Sequence, residues 1–395
     1  MEIYFIIFGL LWASAFSEYI LKKKHAIYFS IIIAYFFTAF RFETGNDWPM
    51  YARIFDNVSP IFSSSINELL INAKTFNKEL LFVLYNSVMK QVWGEFQVII
   101  VVTTTLYFFT FFKFLEAIKA QRATVFAASF SWLIFSLYFS TLSQSMAISF
   151  FLLFWVSRIN LQNRMAFVWA ALAILFQVSS IIYFIVYLLS KKIPSRKILL
   201  IGWVLILLII LGQIDIAGKL IELVLSILSS VGFSGISNKV SYYLFDRGLI
   251  LNTFDQAFVL LSTLLIGGWL LFKKNLSKKM ALPELYGFAI YFIFFQGLFI
   301  SHVVFRYRLL YVAFPIIFMI LYSTYNHSKL VTRSTLLALS FMVSITYGVL
   351  YLNKRDAITF VPYQNYLYLR IFGDLDESTG LERSRKMLDS IKRSN

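Results

Sequence analysis

The chain has 395 residues, of which 59% are hydrophobic, 19% aromatic and 14% charged. Soluble globular domains run at about 45–50% apolar and about 25% charged, so this composition excludes an ordinary soluble fold. The net charge of +16 would suit a nucleic-acid binder if the chain were soluble, but its lysines and arginines fall in short loops between apolar stretches, as the positive-inside bias requires; the absence of cysteine excludes disulfides, thiolate nucleophiles and Cys metal sites.

Apolar segments long enough to cross about 30 Å of hydrocarbon, wholly or in part, recur at about 3–21, 25–40, 97–118, 123–140, 143–157, 165–176, 178–190, 198–214, 255–272, 284–301, 306–323 and 331–351. The expected fold is all-α: a polytopic integral membrane protein of about twelve transmembrane or partial spans, forming one membrane domain over 1–395. The first segment precedes the basic run Lys22-Lys23-Lys24 and shows no Ala-x-Ala-like site. It is therefore expected to be a retained span with its N-terminus outside and its lysines inside.

The stretch 165–190 carries Gln177, Ser179 and Ser180 at its centre. It reads either as one tilted helix or as two short helices meeting near Gln177, a break that is tolerated where it is buried in protein. Two helices place the clusters Lys191-Lys192-Arg196-Lys197, Lys273-Lys274-Lys278-Lys279 and Lys329-Arg333 on the inner side with Lys22–Lys24. The two-helix reading is preferred on that ground. Both large insertions, about 41–96 and 215–254, and the tail 352–395 then face outward. The stretch 216–232 is amphipathic and could lie flat on the outer surface or form a plain structural helix.

On this topology the unusual polar residues gather at one face. Arg41, Glu43, Gly45, Asp47 and Tyr51 leave the second span; Ser140 to Ser145, with Gln144, cap a later junction; and Gln177 marks another. Tyr242, Tyr243, Asp246 and Arg247 lie in the second insertion, Arg306 and Arg308 open a late span beside His302, Tyr307 and Tyr311, and Tyr363 and Tyr366 follow Pro362 in the tail. Arginines outside run against the charge bias. A guanidinium is a planar fork that binds phosphate oxygens in pairs, so Arg41, Arg306 and Arg308 suit an anion such as a pyrophosphate. The plainer alternative is that each snorkels to headgroups or pairs with Glu43 or Asp47. Asp47 and Glu43, and more weakly Glu79, are candidate bases for a sugar hydroxyl, with a turn-capping role as the alternative for Asp47. Tyr51, Trp48, Tyr242, Tyr243, Tyr363 and Tyr366 could stack on sugars, although most of the tyrosines and tryptophans belong to the ordinary aromatic belt. The three histidines are too scattered for a metal centre, and no metal or other cofactor is expected.

The string Arg41-Phe42-Glu43-Thr44-Gly45-Asn46-Asp47-Trp48-Pro49-Met50-Tyr51 has the form R-x3-G-x-D-x3-Y directly after the second apolar span. It resembles the EpsG-like, Wzy-type polysaccharide polymerases. Further segments match in order. Ser143-Gln144-Ser145-Met146-Ala147 resembles the R-Q-x-x-A segment, Phe176-Gln177-Val178-Ser179 falls at F-H-x-S, Arg306-Tyr307-Arg308-Leu309 through Pro315 resembles the arginine-bearing late span, and Val361-Pro362-Tyr363-Gln364-Asn365-Tyr366 resembles the Pro-Tyr segment after the last span. The chain departs at Ser143, where arginine is common, and at Gln177, where histidine is common. A base at position 177 is thus not open to this chain.

The resemblance implies a lipid-dependent glycosyltransferase of the GT-C-like type in the bacterial inner membrane, with its site facing the periplasm. It would move a growing glycan from undecaprenyl pyrophosphate onto the sugar of an incoming undecaprenyl-pyrophosphate-linked repeat unit, without nucleotide sugar or metal. Arg41, Arg306 and Arg308 would hold the pyrophosphate and Asp47 would act on the acceptor hydroxyl. Glu43, Tyr51, Gln144, Gln177, Tyr242, Tyr363 and Tyr366 would bind substrate. The implied partners are the lipid-linked oligosaccharide, membrane lipids and a chain-length regulator, with no nucleic acid. The competing readings are an O-antigen ligase or other lipid-linked-sugar transferase, a flippase, and a membrane O-acyltransferase. A flippase should carry charges along a central path rather than at one face, and an acyltransferase wants an intramembrane histidine base, for which His302 is a poor fit.

Overall fold

The computed structural model describes residues 1–230, 259–272, 282–326, 328–353, 355–373 and 380–392. Within them the chain is helical, and the β-pairing is one isolated antiparallel bridge between Arg41 and Asn365. Within the described residues the apolar segments fall on helices; residues 255–258 of the ninth lie outside them. In chain order the helices are α1 (Glu2–Tyr19) and α2 (Ala26–Ala39), then α3 (Trp48–Asn57), α4 (Ile66–Thr75) and α5 (Leu80–Trp93) in the first insertion. There follow α6 (Gln97–Ala117), α7 (Arg122–Leu133), α8 (Leu142–Ile159), α9 (Asn163–Phe176), α10 (Ile181–Ser190), α11 (Arg196–Gly212), α12 (Ile216–Ser230) and α13 (Val259–Phe272). The last five are α14 (Pro283–Leu298), α15 (Val303–Tyr325), α16 (Leu330–Leu352), α17 (Tyr366–Phe372) and α18 (Gly380–Lys392). Among the described residues, four helices are long and apolar enough to cross a membrane: α6, α8, the Arg306–Tyr325 part of α15, and α16. Helices α2, α9, α13 and the segment Val178–Ser190 are shorter and apolar.

Local chemistry sets the helix ends. Ser65 accepts from the Glu68 N–H, which starts α4 in a Ser-x-x-Glu arrangement. Gly94 ends α5 in the left-handed region, and Pro283 opens α14, where a missing N–H costs nothing. Asn365 caps α17 by accepting from the Tyr368 N–H. Helix α9 stops at Gln177, whose backbone is extended, and one 3-10 turn (Val178–Ser180) leads into α10. The segment 165–190 is therefore two helices, as the loop charges implied.

The chain forms two compact units. The first comprises residues 1–181 and 321–395, the second 182–320. In the first, α8 packs against α9 and α6, α1 against α7 and α2, and α16 against α7. Between lipid-embedded helices the drive is close packing rather than exclusion of water. Aromatic side chains supply it here, with Tyr107, Phe108, Phe111, Phe126, Phe130 and Tyr138 meeting at ring distances of 4.9–6.5 Å. Such pairs contribute about 0.5–1.5 kcal/mol each beyond simple burial. Buried Glu18 of α1 accepts 3.0 Å hydrogen bonds from both the N–H and the hydroxyl of Thr124, placing a carboxylate on the first turn of α7.

In the second unit α11 packs on α14 and α13. Trp203 donates to the Thr263 carbonyl (2.8 Å), and Gln296 donates to the Ser262 and Thr263 hydroxyls (2.9 and 3.0 Å). A Cβ at Gly297 would overlap Ile206, so glycine there lets the two helices approach. Residues 231–258, with Tyr242, Tyr243, Asp246 and Arg247, lie outside the described residues, as do Lys273–Lys279 and His327.

Candidate functional site in the membrane protein

The R-x3-G-x-D segment turns sharply after α2. Glu43 has φ +44° and Gly45 has φ +115°, so the chain reverses within three residues. Only glycine takes the second conformation without strain. A Cβ at Gly45 would also lie 2.9 Å from the Phe139 carbonyl carbon and nearer still to its oxygen. The loop is thus pressed against the end of the α7 segment, where the Asn46 N–H meets the Ser140 hydroxyl at 3.4 Å.

The Pro-Tyr segment completes this turn. Phe42 N–H donates to Gln364 O (2.9 Å), Tyr366 N–H to Phe40 O (2.7 Å), Gly45 N–H to Thr359 O (3.1 Å), and the Thr359 hydroxyl to Asn46 Oδ1 (2.5 Å). Tyr363 stacks on Phe37 at 4.5 Å and donates to its carbonyl (2.7 Å). The Tyr366 hydroxyl and Arg370 both bond to Glu95, with Arg370 2.8 Å from the carboxylate. Arg370 and Tyr366 thereby hold the Glu95 carboxyl below the usual carboxylate range. Segments about 320 residues apart thus close on each other, and both tyrosine rings lie against protein: Tyr363 on Phe37, Tyr366 near Phe42.

Arg41 is the most enclosed charge here, at 1% exposure. It donates to Thr38 O (2.7 Å) and lies 5.1 Å over the Phe139 ring, while its Nε has no hydrogen-bond partner. Burial pulls the guanidinium down to about 9, so it remains protonated at neutral pH. The sequence suggests Arg41 for a substrate phosphate; the structure places it at the start of the loop, against Thr38 and Phe139.

A second cluster lies on the other side of Asp47. Asp47 begins α3, is half-buried, and makes no cap hydrogen bond with its side chain. One turn on, the Tyr51 hydroxyl is 3.2 Å from the Ser143 hydroxyl, which donates to Gln177 Oε1 at 2.9 Å. Gln177 reaches Ser179 at 3.4 Å, and Glu79 accepts from the Val178 N–H at 3.1 Å. Lys78 stands 4.8 Å over the Tyr51 ring. Gln144 is buried on the first turn of α8. The break after α9 thus frees backbone donors, and Glu79 satisfies one of them. Tyr51, Ser143 and Gln177, drawn from three separated motifs, are brought into one chain of hydrogen bonds. Lys78 and Arg383 were not singled out by the sequence; nothing in a half-polar insertion or a charged tail distinguishes them before folding.

Arg306 and Arg308 belong to the second unit. Helix α15 is continuous through both, so they point about 200° apart. Arg306 is buried, with its guanidinium 5.6 Å from the Tyr307 ring, and Arg308 is half-buried, with its carbonyl accepting from the Tyr183 hydroxyl at 3.0 Å. Beside them His302 Nε2 lies 3.1 Å from Asp215, which also caps α12 through the Gly218 N–H. Among the described residues no three His, Asp or Glu side chains converge in a way that could hold a metal.

No curated protein and no solved structure is detectably similar to this chain. The EpsG family model matches residues 26–365, which takes in the R-x3-G-x-D loop, the helix break, the late arginines and the Pro-Tyr segment. With 340 of its 395 residues inside that match, this helical membrane protein belongs to the EpsG family.

Proposed function

We propose that the protein polymerises oligosaccharide repeat units carried on undecaprenyl pyrophosphate, at the periplasmic face of the bacterial inner membrane. Family membership supports a polysaccharide polymerase. The observation that carries the reading furthest is the convergence of the R-x3-G-x-D-x3-Y motif with two segments far away in sequence. The motif's loop closes on the Pro-Tyr tail, and its Tyr51 enters the Ser143–Gln177 chain. A twelve-span topology with both termini outside gives these segments one face, and the repeat-unit lipid reaches them from the outer leaflet.

In the reaction, the bond between the donor's anomeric carbon and the pyrophosphate oxygen breaks, and a bond from that carbon to an acceptor hydroxyl oxygen forms. The acceptor's proton passes to a base, and undecaprenyl pyrophosphate departs with the electron pair. Asp47, half-buried at the start of α3 and one turn from Tyr51, is the proposed base. Tyr51, Gln144 and Gln177 orient the acceptor sugar. Arg306 or Arg308 holds the pyrophosphate, where negative charge grows in the transition state and a fixed cation lowers the barrier most. Arg41, Glu43, Tyr363 and Tyr366 serve the site by fixing the loop, through Thr38, Arg383, Phe37 and Glu95 respectively. The test is Asp47→Asn, which keeps the size of the side chain and removes the base. Loss of polymer with the protein still present in the membrane supports the assignment; polymer of ordinary length removes Asp47 from the reaction.

A further inference from the structure

The C-terminal helix α18 lies beyond the family match, which ends at residue 365. It is nevertheless tied into the R-x3-G-x-D loop. Arg383, 5% exposed, donates to Pro362 O at 2.6 Å, to Gln364 Oε1 at 2.8 Å and to Glu43 O at 3.2 Å. One guanidinium thereby joins the motif loop to the Pro-Tyr segment from a third direction. The first residue of α18, Gly380, presses on Glu43. Its N–H bonds the Glu43 carboxylate, and a Cβ there would overlap the Glu43 side chain and sit 3.0 Å from its carbonyl oxygen. Burial raises the Glu43 carboxyl, and the Gly380 N–H and the Arg383 charge counter that. A carboxylate at a helix N-terminus with an arginine one turn along is a favourable placement for both.

Arg383 sits on the buried side of α18, and these three acceptors surround its guanidinium. On the exposed side of α18, Lys386 and Glu382 form an i,i+4 pair. The helix is amphipathic, and its buried side rests on the 3-10 turn Arg355–Thr359 that supplies Thr359 to Gly45 and Asn46. The contacts of α18 therefore reach both ends of the loop: Glu43 directly, and Gly45–Asn46 through Thr359. Asp47 is the next residue.

We propose that Arg383 is a positioning residue, and that α18 is an outer-face latch holding the R-x3-G-x-D loop in the conformation that presents Asp47. This rests on the polymerase reading for what the loop does, but not for the latch itself. Arg383 touches no reacting group; its side chain fixes the backbone of Glu43 relative to residues 362–364. Three acceptors around one planar fork cannot all be reached by a lysine ammonium, so Arg383→Lys should recover only part of the function.

The cysteine-free chain allows a direct readout of loop position. Met50→Cys places a half-buried thiol on the first turn of α3, and Asn57→Cys places an exposed one at its far end. Each is labelled in intact cells with an impermeant thiol reagent, in the Arg383, Arg383→Ala and Arg383→Lys backgrounds, alongside polymer length. Lys386→Ala, on the solvated side of the same helix, is the control and leaves both readouts unchanged. We expect Arg383→Ala to speed labelling at Met50→Cys several-fold, to leave Asn57→Cys unchanged and to cut polymer yield at least tenfold at equal membrane abundance, with Arg383→Lys between. Unchanged labelling at Met50→Cys in Arg383→Ala overturns the latch, whatever the polymer does. Faster labelling with undiminished polymer shows that the loop moves without consequence, which overturns the positioning role. A strain deleted for the whole chain that keeps its polymer overturns the polymerase reading and leaves the labelling result to judge the latch alone.

Discussion

Gly45→Ala is the substitution whose cost the structure fixes most closely. The backbone at Gly45 has φ +115°, outside the region open to L-residues, and holding alanine there costs about 1–3 kcal/mol. The added Cβ meets the Phe139 backbone, 2.9 Å from the carbonyl carbon, and no rotamer can relieve that contact. Forcing an extra carbon into such packing costs about 1–3 kcal/mol more. The sum is about 4 kcal/mol, or about a thousandfold against the native loop. Gly94 is the matched control. It too has a positive φ, +72°, but a Cβ there meets nothing within 4 Å, so Gly94→Ala should cost about 1 kcal/mol and leave the loop alone. The assay is polymer length and yield in a deletion strain complemented with each variant at equal membrane abundance. Gly45→Ala should abolish polymer and Gly94→Ala should keep it. Full-length polymer from Gly45→Ala would show that the turn and its contact with Phe139 are not what function requires.

Further outcomes follow from the same geometry. Because α15 is wound through both late arginines, Arg306→Lys and Arg308→Lys should be unequal, one nearly as damaging as its alanine variant; equal and mild effects, with polymer retained, would remove the pair from pyrophosphate binding. Gln177→Leu removes the acceptor of the Ser143 hydroxyl and leaves it only Tyr51, at a cost of about 0.5–1.5 kcal/mol, so polymer yield should fall while Gln177→Glu, which keeps the acceptor, retains more; an order reversed would contradict the Tyr51–Ser143–Gln177 chain. The Glu95 carboxyl is held low by Arg370, so its contribution is present at neutral pH and is lost as pH falls through that lowered value. Acid-induced release of the tail, followed by protease sensitivity near 366–372, should therefore begin at higher pH in Arg370→Ala, and an unchanged onset would show the pair to be idle.

The apolar segments were legible because period and length alone specify a helix in lipid, and within the described residues they fall on helices. The break at Gln177 was legible for a different reason: the charges of distant loops favoured two short helices over one tilted one. What the sequence could not show is which polar groups the fold would enclose. Arg41 reads as an outward cation because it follows a span, yet its guanidinium lies on Phe139 beneath the loop. Tyr363 and Tyr366 read as sugar platforms because they stand in a polar tail, and nothing local in that tail announces their contacts with Phe37 and Glu95. Lys78 over Tyr51 and Arg383 on Glu43 are contacts between segments about 27 and 340 residues apart, for which local pattern carries no signal. The ordered motifs proved informative as a set: their spacing is irregular, but Tyr51, Ser143 and Gln177 share hydrogen bonds, and residues 40–46 share a turn with 359–366.

The most direct measurement is made on the purified protein in lipid nanodiscs supplied with undecaprenyl-pyrophosphate-linked repeat units from its own host and no nucleotide sugar. The account predicts a ladder of products spaced by one repeat unit, with one undecaprenyl pyrophosphate released for each linkage formed, and no ladder from Asp47→Asn. Single-unit transfer to a different acceptor without a ladder, or movement of intact lipid-linked units across the bilayer with no pyrophosphate lipid released, would contradict it.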